Sequence, residues 1–130
     1  MAHRYIVNQE AKKIIDSADV TFSATLLDPS EGTPPLRKYD YSNPTYPILS
    51  GCYAFYDPTT YEVAYVGKAI QLLSRLKEHW NVSNTLLDWE NDDFCPYVAV
   101  WYCDPSERAA LEERLVKQLK PSLNRNITYP

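Results

Sequence analysis

From residue 48 onward, apolar and polar positions follow patterns that predict two strands joined by a tight turn. Residues 51–56 form a run rich in aromatic side chains, which is typical of a strand. Residues 57–60 begin with Asp-Pro and predict a turn, and residues 61–66 predict a second strand. With the turn centred in that loop, Tyr53 lies directly opposite Tyr65 on one face of the hairpin. Since cross-strand aromatic pairs commonly stabilise sheets, a purely structural role is the favoured interpretation of this pair.

Residues 70–80 have the apolar spacing of an amphipathic helix. At about 100° per residue, Arg75 and His79 fall together on one edge of the apolar arc. Lys68 precedes the helix on a similar bearing, and Gly67-Lys68 at the predicted strand-to-helix junction would offer backbone amides to an anion. An ordinary solvated helix flank explains these positions equally well. The predicted buried arc consists of Leu72, Leu73, Leu76 and Trp80.

A third strand and a final helix are predicted after a polar, acidic loop. Residues 94–103 are rich in β-branched and aromatic side chains, which favours a strand. Asp104, Pro105 and Glu107 form the pattern of a helix start, with the aspartate as N-cap and the proline at the first helical position. The helix is expected to run to about Lys120, where Pro121 ends it.

Two adjacent glutamates of this last helix fall on different faces. Glu112 lies in the middle of the apolar arc, whereas Glu113 lies outside it and is predicted to be a surface acid. A carboxylate on an apolar face must be paired, bound to a metal or placed at the edge of the core. A structural salt bridge to Arg75 or Lys68 and a functional role both remain open at this point. The arc itself consists of Ala109, Leu111, Leu115, Val116 and Leu119.

The predicted order β-β-α-β-α indicates an α+β domain with a small, mainly antiparallel three-stranded sheet flanked by helices. We assign this core to residues 47–130 and treat residues 1–46 as an N-terminal arm. Within the arm, residues 8–18 predict a short helix capped by Asn8. Residues 28–47 hold five prolines and predict an irregular segment at the surface.

Composition narrows the class of protein. The 130 residues suffice for one domain, no apolar run approaches a membrane span, and no signal-type apolar block follows the N-terminus, so a cytoplasmic protein is expected. The net charge is −4, with four acids concentrated in residues 88–93. This acidity lowers the expectation of tight non-specific DNA binding but permits a local basic groove. Cys52, Cys95 and Cys103 lack disulfide or zinc spacing and are expected to be small apolar fillers.

Taken together, these residues resemble the GIY-YIG endonuclease superfamily over roughly residues 48–126. Each short signature is weak alone, but their order and spacing together are specific. Cys52 and Val66 replace apolar residues usual in the family, and the long arm departs from its pattern. The arm resembles the added segments of small stand-alone members, such as restriction or phage enzymes. The matching residues are Gly51-Cys52-Tyr53, Tyr65-Val66-Gly67-Lys68, Arg75, His79, Glu112 and the Pro121-to-Asn124 ending.

The resemblance implies a divalent-metal-dependent endonuclease that hydrolyses phosphodiester bonds in DNA. Glu112 would hold one Mg²⁺ or Mn²⁺ ion. Arg75 and Tyr65 would bind the phosphate oxygens and stabilise the charge of the transition state. Tyr53 would accept the proton of the attacking water, with nearby cations lowering its pKa and His79 accepting the proton onward.

The remaining implied roles concern substrate and partners. Lys68 would act both in catalysis and, with Gly67, Arg75 and Lys77, in binding the nucleic acid, while Asn124 would position the site through hydrogen bonds. The sequence does not decide between single-stranded and double-stranded DNA as the substrate. The arm is predicted to dimerise the protein or grip substrate, although a solvated proline-rich loop is the simpler interpretation. The alternative function is a non-catalytic nucleic-acid-binding or assembly module that retains the nuclease fold.

Overall fold

The computed structural model describes residues 6–37, 48–81 and 96–122, which form an α+β fold around one antiparallel sheet. The sheet has four strands in the order β1-β4-β2-β3, so β1 and β3 are its two edges. Two short 3₁₀ turns follow β1, at Ala24–Leu27 and Pro29–Glu31. The strands are β1 (Val20–Ser23), β2 (Gly51–Tyr56), β3 (Val63–Ala69) and β4 (Tyr97–Tyr102). The helices are α1 (Gln9–Ile15), α2 (Leu72–Asn81) and α3 (Arg108–Leu119).

The sheet contains one more strand than predicted, and the prediction of three strands was therefore wrong. The additional strand, β1, comes from the arm and pairs antiparallel with β4, with Phe22 opposite Val98. Four residues are too few to show a clear alternation, which is why the pattern gave no signal here. The division into an arm and a core stays a prediction, but part of the arm belongs to the same sheet.

Two apolar layers form because successive side chains of each strand point to opposite faces of the sheet. Tyr53 and Phe55 of β2 face α2. Cys52 and Ala54 face α1 and α3, and Leu115 of α3 packs in that layer. Among the described residues, no helix is both long and apolar enough to cross a membrane.

The hairpin of β2 and β3 has a different register from the one predicted. Tyr53 lies opposite Gly67, and Tyr65 lies opposite Phe55. The shift arises at an irregularity after Phe55 and at a longer loop, in which Tyr61 adopts a positive φ of 63°. Tyr53 and Tyr65 nevertheless share one face, because the shift is an even number of residues.

The helix boundaries test the predicted caps. Asn8 caps α1 as predicted, since its side chain accepts a hydrogen bond from the amide of Ala11 at 3.1 Å. The predicted start of the last helix at Asp104 was wrong: residues 104–107 form a turn, and α3 begins at Arg108 without a side-chain cap. The end was correct, because Lys120 takes the left-handed conformation just before Pro121.

Candidate functional site

Tyr53 and His79 form the centre of the candidate site. Tyr53 projects from the middle of β2 and His79 from the last turn of α2, and both are buried. The Tyr53 hydroxyl and the His79 Nε2 atom share a hydrogen bond of 2.6 Å. Which of the two atoms donates depends on the imidazole tautomer. The pair thus joins two ionisable groups that lie 26 positions apart in the chain.

Aromatic neighbours hold the imidazole in place. The Tyr65 and Phe55 rings each lie edge-to-face with the His79 ring, with both centroid distances at 5.6 Å. The Tyr53 and Tyr65 rings lie 6.2 Å apart. Edge-to-face packing at these distances restricts ring rotation, so the hydroxyl and the imidazole meet in a defined geometry. Phe55 was not among the predicted site residues, although its alternation with Tyr53 in β2 was a usable signal.

Gly67 is required at its position because the Tyr53 ring crosses directly over it. A Cβ atom there would lie 2.9 Å from the Cε2 atom of Tyr53 and nearer still to the hydroxyl oxygen. The glycine therefore lets the Tyr53 side chain reach the edge strand β3. Gly51 has a similar constraint, since its Cβ would overlap the Trp101 carbonyl of β4.

We expect Gly67→Ala to reduce the free energy of unfolding by about 1–3 kcal/mol, because the new methyl group would overpack Tyr53. In a Tyr53→Leu background, the same substitution should cost much less, since the clashing ring is absent. Urea denaturation of the four proteins of this cycle measures the difference. Equal costs in the two backgrounds would show that the ring does not set the requirement for glycine.

Arg75 lies beside this pair but is also held by a neighbouring acid. Its guanidinium interacts with the Tyr53 hydroxyl and forms an ion pair of 3.0 Å with Glu78, three residues along α2. Both side chains of the ion pair are largely exposed, so the pair contributes little stability. Glu78 was overlooked as a partner in the sequence, although its spacing from Arg75 was a sufficient signal.

Glu112 is buried on α3, as its position on the helical wheel predicted, and Glu113 is exposed. The Glu112 Oε1 atom lies 3.5 Å from the Lys68 Nζ atom, so the salt bridge to Lys68 that was left open for Glu112 is present. Lys68 lies opposite Cys52 in the hairpin, and Cys52 belongs to the apolar layer that contains α3. Lys68 and Glu112 are therefore on the other face of the sheet from Tyr53.

The site consequently straddles the edge strand β3, with Gly67 between its two halves. The Glu112 charge still acts on Tyr53, since it helps to raise the tyrosine pKa. The prediction that Lys68 shares a bearing with Arg75 and His79 was wrong. Gly67 and Lys68 lie inside β3 and not at the strand-to-helix junction, because the strand continues to Ala69.

The pKa of Tyr53 is shifted opposite to the direction expected for a general base. Burial of the phenol raises the pKa above its usual value, and the neighbouring Tyr65 adds to this. Arg75 opposes the increase without cancelling it. Tyr53 is only 1% exposed, so burial dominates. In this state the hydroxyl keeps its proton.

Burial lowers the pKa of His79 to about 4, and the positive charge of Arg75 acts in the same direction. The imidazole is therefore neutral at pH 7, and one of its ring nitrogens can accept a hydrogen bond. Since Tyr53 has a raised pKa and His79 a lowered one, the two groups share a hydrogen bond as a neutral pair.

The free energy of unfolding is expected to fall as pH drops from about 6.5 towards 4. In this interval His79 of the unfolded chain binds a proton that the folded protein excludes, and protons then favour unfolding. The full effect from His79 is on the order of 3 kcal/mol. Urea denaturation of the parent and of His79→Gln at several pH values checks this. The difference between their free energies of unfolding at each pH cancels the contributions of the other titrating groups. Parallel pH curves would contradict the burial of an uncharged imidazole.

The other predicted residues contribute less to this cluster. Lys77 is exposed on α2. Asn124 and Cys95 lie outside the described residues. In the described part of the arm, the Arg37 guanidinium stacks on the Tyr102 ring at 4.0 Å, which attaches this segment to β4.

Cys52 matches the expectation of an apolar filler, because it lies in the buried layer beside α1 and α3, whereas Cys103 is half-buried. Cys52 and Cys103 are both free thiols, and Cys52 is fully buried. Burial raises the pKa of Cys52 to about 12, so this thiol is unreactive at neutral pH.

A polydentate metal cage is absent from the residues that the structure describes. Within 6–37, 48–81 and 96–122, no three His, Cys, Asp or Glu side chains are grouped to bind an ion. No protein-family model matches the chain, and a search of curated proteins finds none that matches it.

Proposed function

We propose that the protein is a divalent-metal-dependent endonuclease that hydrolyses phosphodiester bonds in DNA, as a small stand-alone relative of the GIY-YIG superfamily. The main support is the placement, on the two sides of the edge strand β3, of groups suited to phosphate hydrolysis. The Tyr53–His79 hydrogen bond of 2.6 Å, with Arg75 beside it, carries the proposal. The Lys68–Glu112 pair completes the set on the other face of this strand.

Glu112 is the residue that would hold the metal ion. Mg²⁺ commonly binds one or two carboxylates and keeps several waters, so a single carboxylate is a sufficient protein ligand. The Glu112 side chain is 11% exposed, and its contact with Lys68 at 3.5 Å is longer than the roughly 2.7–2.9 Å of a strong charge-assisted hydrogen bond. These features fit a hard cation at this carboxylate. When bound, the metal would supply positive charge for the scissile phosphate and the leaving oxygen.

Arg75 is the residue that would bind the phosphate. Its guanidinium is exposed, and its planar fork suits two phosphate oxygens. Movement of Arg75 towards a phosphate would also weaken its interaction with the Tyr53 hydroxyl. Tyr65 would help to bind the phosphate oxygens.

Tyr53 and His79 would move the proton of the attacking water. Because burial disfavours a tyrosinate, a stepwise loss of the phenolic proton is unfavourable. A concerted transfer avoids this: Tyr53 accepts a proton from water as it passes its own proton to the neutral Nε2 atom of His79. This requires the tautomer in which the Tyr53 hydroxyl donates.

The direct test is incubation with single-stranded and duplex DNA, with and without Mg²⁺, followed by mapping of the products. We expect internal cuts that require the metal. Cleavage that persists in excess chelator would contradict the proposal, and comparison of the two DNA forms would identify the preferred substrate.

A second candidate is a non-catalytic module that binds nucleic acid and retains the nuclease fold. Its support is that the key side chains already have partners: Tyr53 is buried against His79, and Glu112 pairs with Lys68. Salt-sensitive binding without cleavage of any DNA or RNA, in either Mg²⁺ or Mn²⁺, would favour this candidate.

A further inference from the structure

The Lys68–Glu112 ion pair joins the carboxylate assigned to the metal with a lysine from the edge strand. The Nζ and Oε1 atoms are 3.5 Å apart. The two side chains differ in environment, because that of Glu112 is 11% exposed and that of Lys68 is 39% exposed. The lysine therefore reaches a nearly buried acid from the solvent side.

This difference in exposure determines which partner can leave. A nearly buried carboxylate needs a positive neighbour, and Lys68 supplies it when no metal is bound. A divalent cation at the same carboxylate would provide that charge and would repel the ammonium group. Lys68 has a flexible four-carbon stem and partial access to solvent, so its ammonium group is free to turn outward.

We propose that Lys68 competes with the metal for Glu112 and that a DNA phosphate relieves this competition by binding the released ammonium group. The inference rests on the proposed function and adds a form of regulation to that site. Metal and DNA would then bind cooperatively, since each removes Lys68 from the carboxylate. Linkage requires the effect to be reciprocal, so the metal must also tighten DNA binding by the same factor.

The chain offers a matched control for charge removal. Lys117 forms an ion pair of 3.2 Å with Glu113, also on α3, but both side chains are exposed. Lys117→Gln and Lys68→Gln each remove one positive charge and one ion pair with a glutamate. Only the second removes the partner of Glu112.

The test measures Mn²⁺ affinity from the signal of free Mn²⁺ in electron paramagnetic resonance. A Tyr53→Phe background suppresses cleavage when a short DNA oligonucleotide is added. We expect Lys68→Gln to tighten Mn²⁺ binding about tenfold without DNA. DNA should tighten binding about tenfold in the parent and less than about twofold in Lys68→Gln. Lys117→Gln should stay close to the parent, and Glu112→Gln should lose the site.

Each contrary outcome has a distinct meaning. Unchanged or weaker Mn²⁺ binding by Lys68→Gln overturns the competition. If Glu112→Gln loses Mn²⁺ binding in the same experiment, the assignment of Glu112 as the metal ligand still stands. If Lys117→Gln and Lys68→Gln increase Mn²⁺ affinity equally, the increase comes from the change in net charge, and the competition is also overturned. Normal Mn²⁺ binding by Glu112→Gln overturns the metal assignment of the proposed function, and absence of binding in every protein overturns both.

Discussion

Glu112→Gln is expected to lower the rate of DNA cleavage by at least about 10²–10³-fold, a loss typical of removing one group that stabilises transition-state charge. The substitution keeps the shape of the side chain and removes the negative charge that would hold the metal. Lys68, the partner of Glu112, is 39% exposed, so water can replace the lost ion pair and the fold should persist.

The adjacent Glu113 provides the control for this prediction. It lies on the same helix and its side chain is 69% exposed, in an ion pair with Lys117. Glu113→Gln should retain cleavage within about twofold and should match the parent in urea denaturation, because surface substitutions have small effects. Cleavage rates at saturating Mg²⁺ measure both variants. Equal rates for Glu112→Gln and the parent would remove Glu112 from the mechanism.

The sequence predicted those parts of the structure that depend on local periodicity. The β2 strand has the predicted bounds, because its continuous apolar run is buried on both faces. The helical-wheel positions in α3 correctly predicted that Glu112 is buried and Glu113 is exposed, because the burial of a helical residue follows its angular position. The paired Arg75 and His79 also follow helical geometry, although only His79 is buried.

The features that were missed depend on contacts between distant segments. Strand β1 exists because β4 offers it an edge to pair with, which no local pattern encodes. The hairpin register depends on the loop conformation around Tyr61, where a positive φ is unusual for an aromatic residue. The position of Lys68 on the far face follows from that register together with the extension of β3 to Ala69.

The pKa of Tyr53 was also beyond sequence reasoning. Counting nearby cations predicted a lowered value, but burial outweighs Arg75 and raises it. The requirement for glycine at position 67 has the same origin, since the crossing Tyr53 ring becomes visible only in the folded sheet. Both observations concern how deeply one side chain is packed, and this decides how it could act on a proton.

Tyr53→Phe is expected to reduce cleavage by roughly 10²–10⁴-fold, the range attributed to a positioned proton-transfer group. The phenylalanine ring fills the same space over Gly67 but cannot relay a proton from water to His79. Loss of one buried hydrogen bond should cost about 1–2 kcal/mol in the free energy of unfolding, so the variant should remain folded. Tyr97→Phe on β4 removes a hydroxyl from a partly exposed tyrosine outside the site and serves as the control.

The pH profile distinguishes a proton relay from a purely structural role of Tyr53. Because the pKa of His79 lies near 4, the parent should retain a neutral acceptor, and hence cleavage, well below the pH at which an ordinary histidine becomes charged. In the parent, the decrease of the cleavage rate at low pH should therefore follow the low pKa of His79. In Tyr53→Phe, both the rate and this pH dependence should be lost. Full activity in Tyr53→Phe would mean that His79 or solvent takes the proton directly. A reduced rate with an unchanged acid limb would instead assign Tyr53 to positioning the site, because the titrating group would still control the remaining reaction.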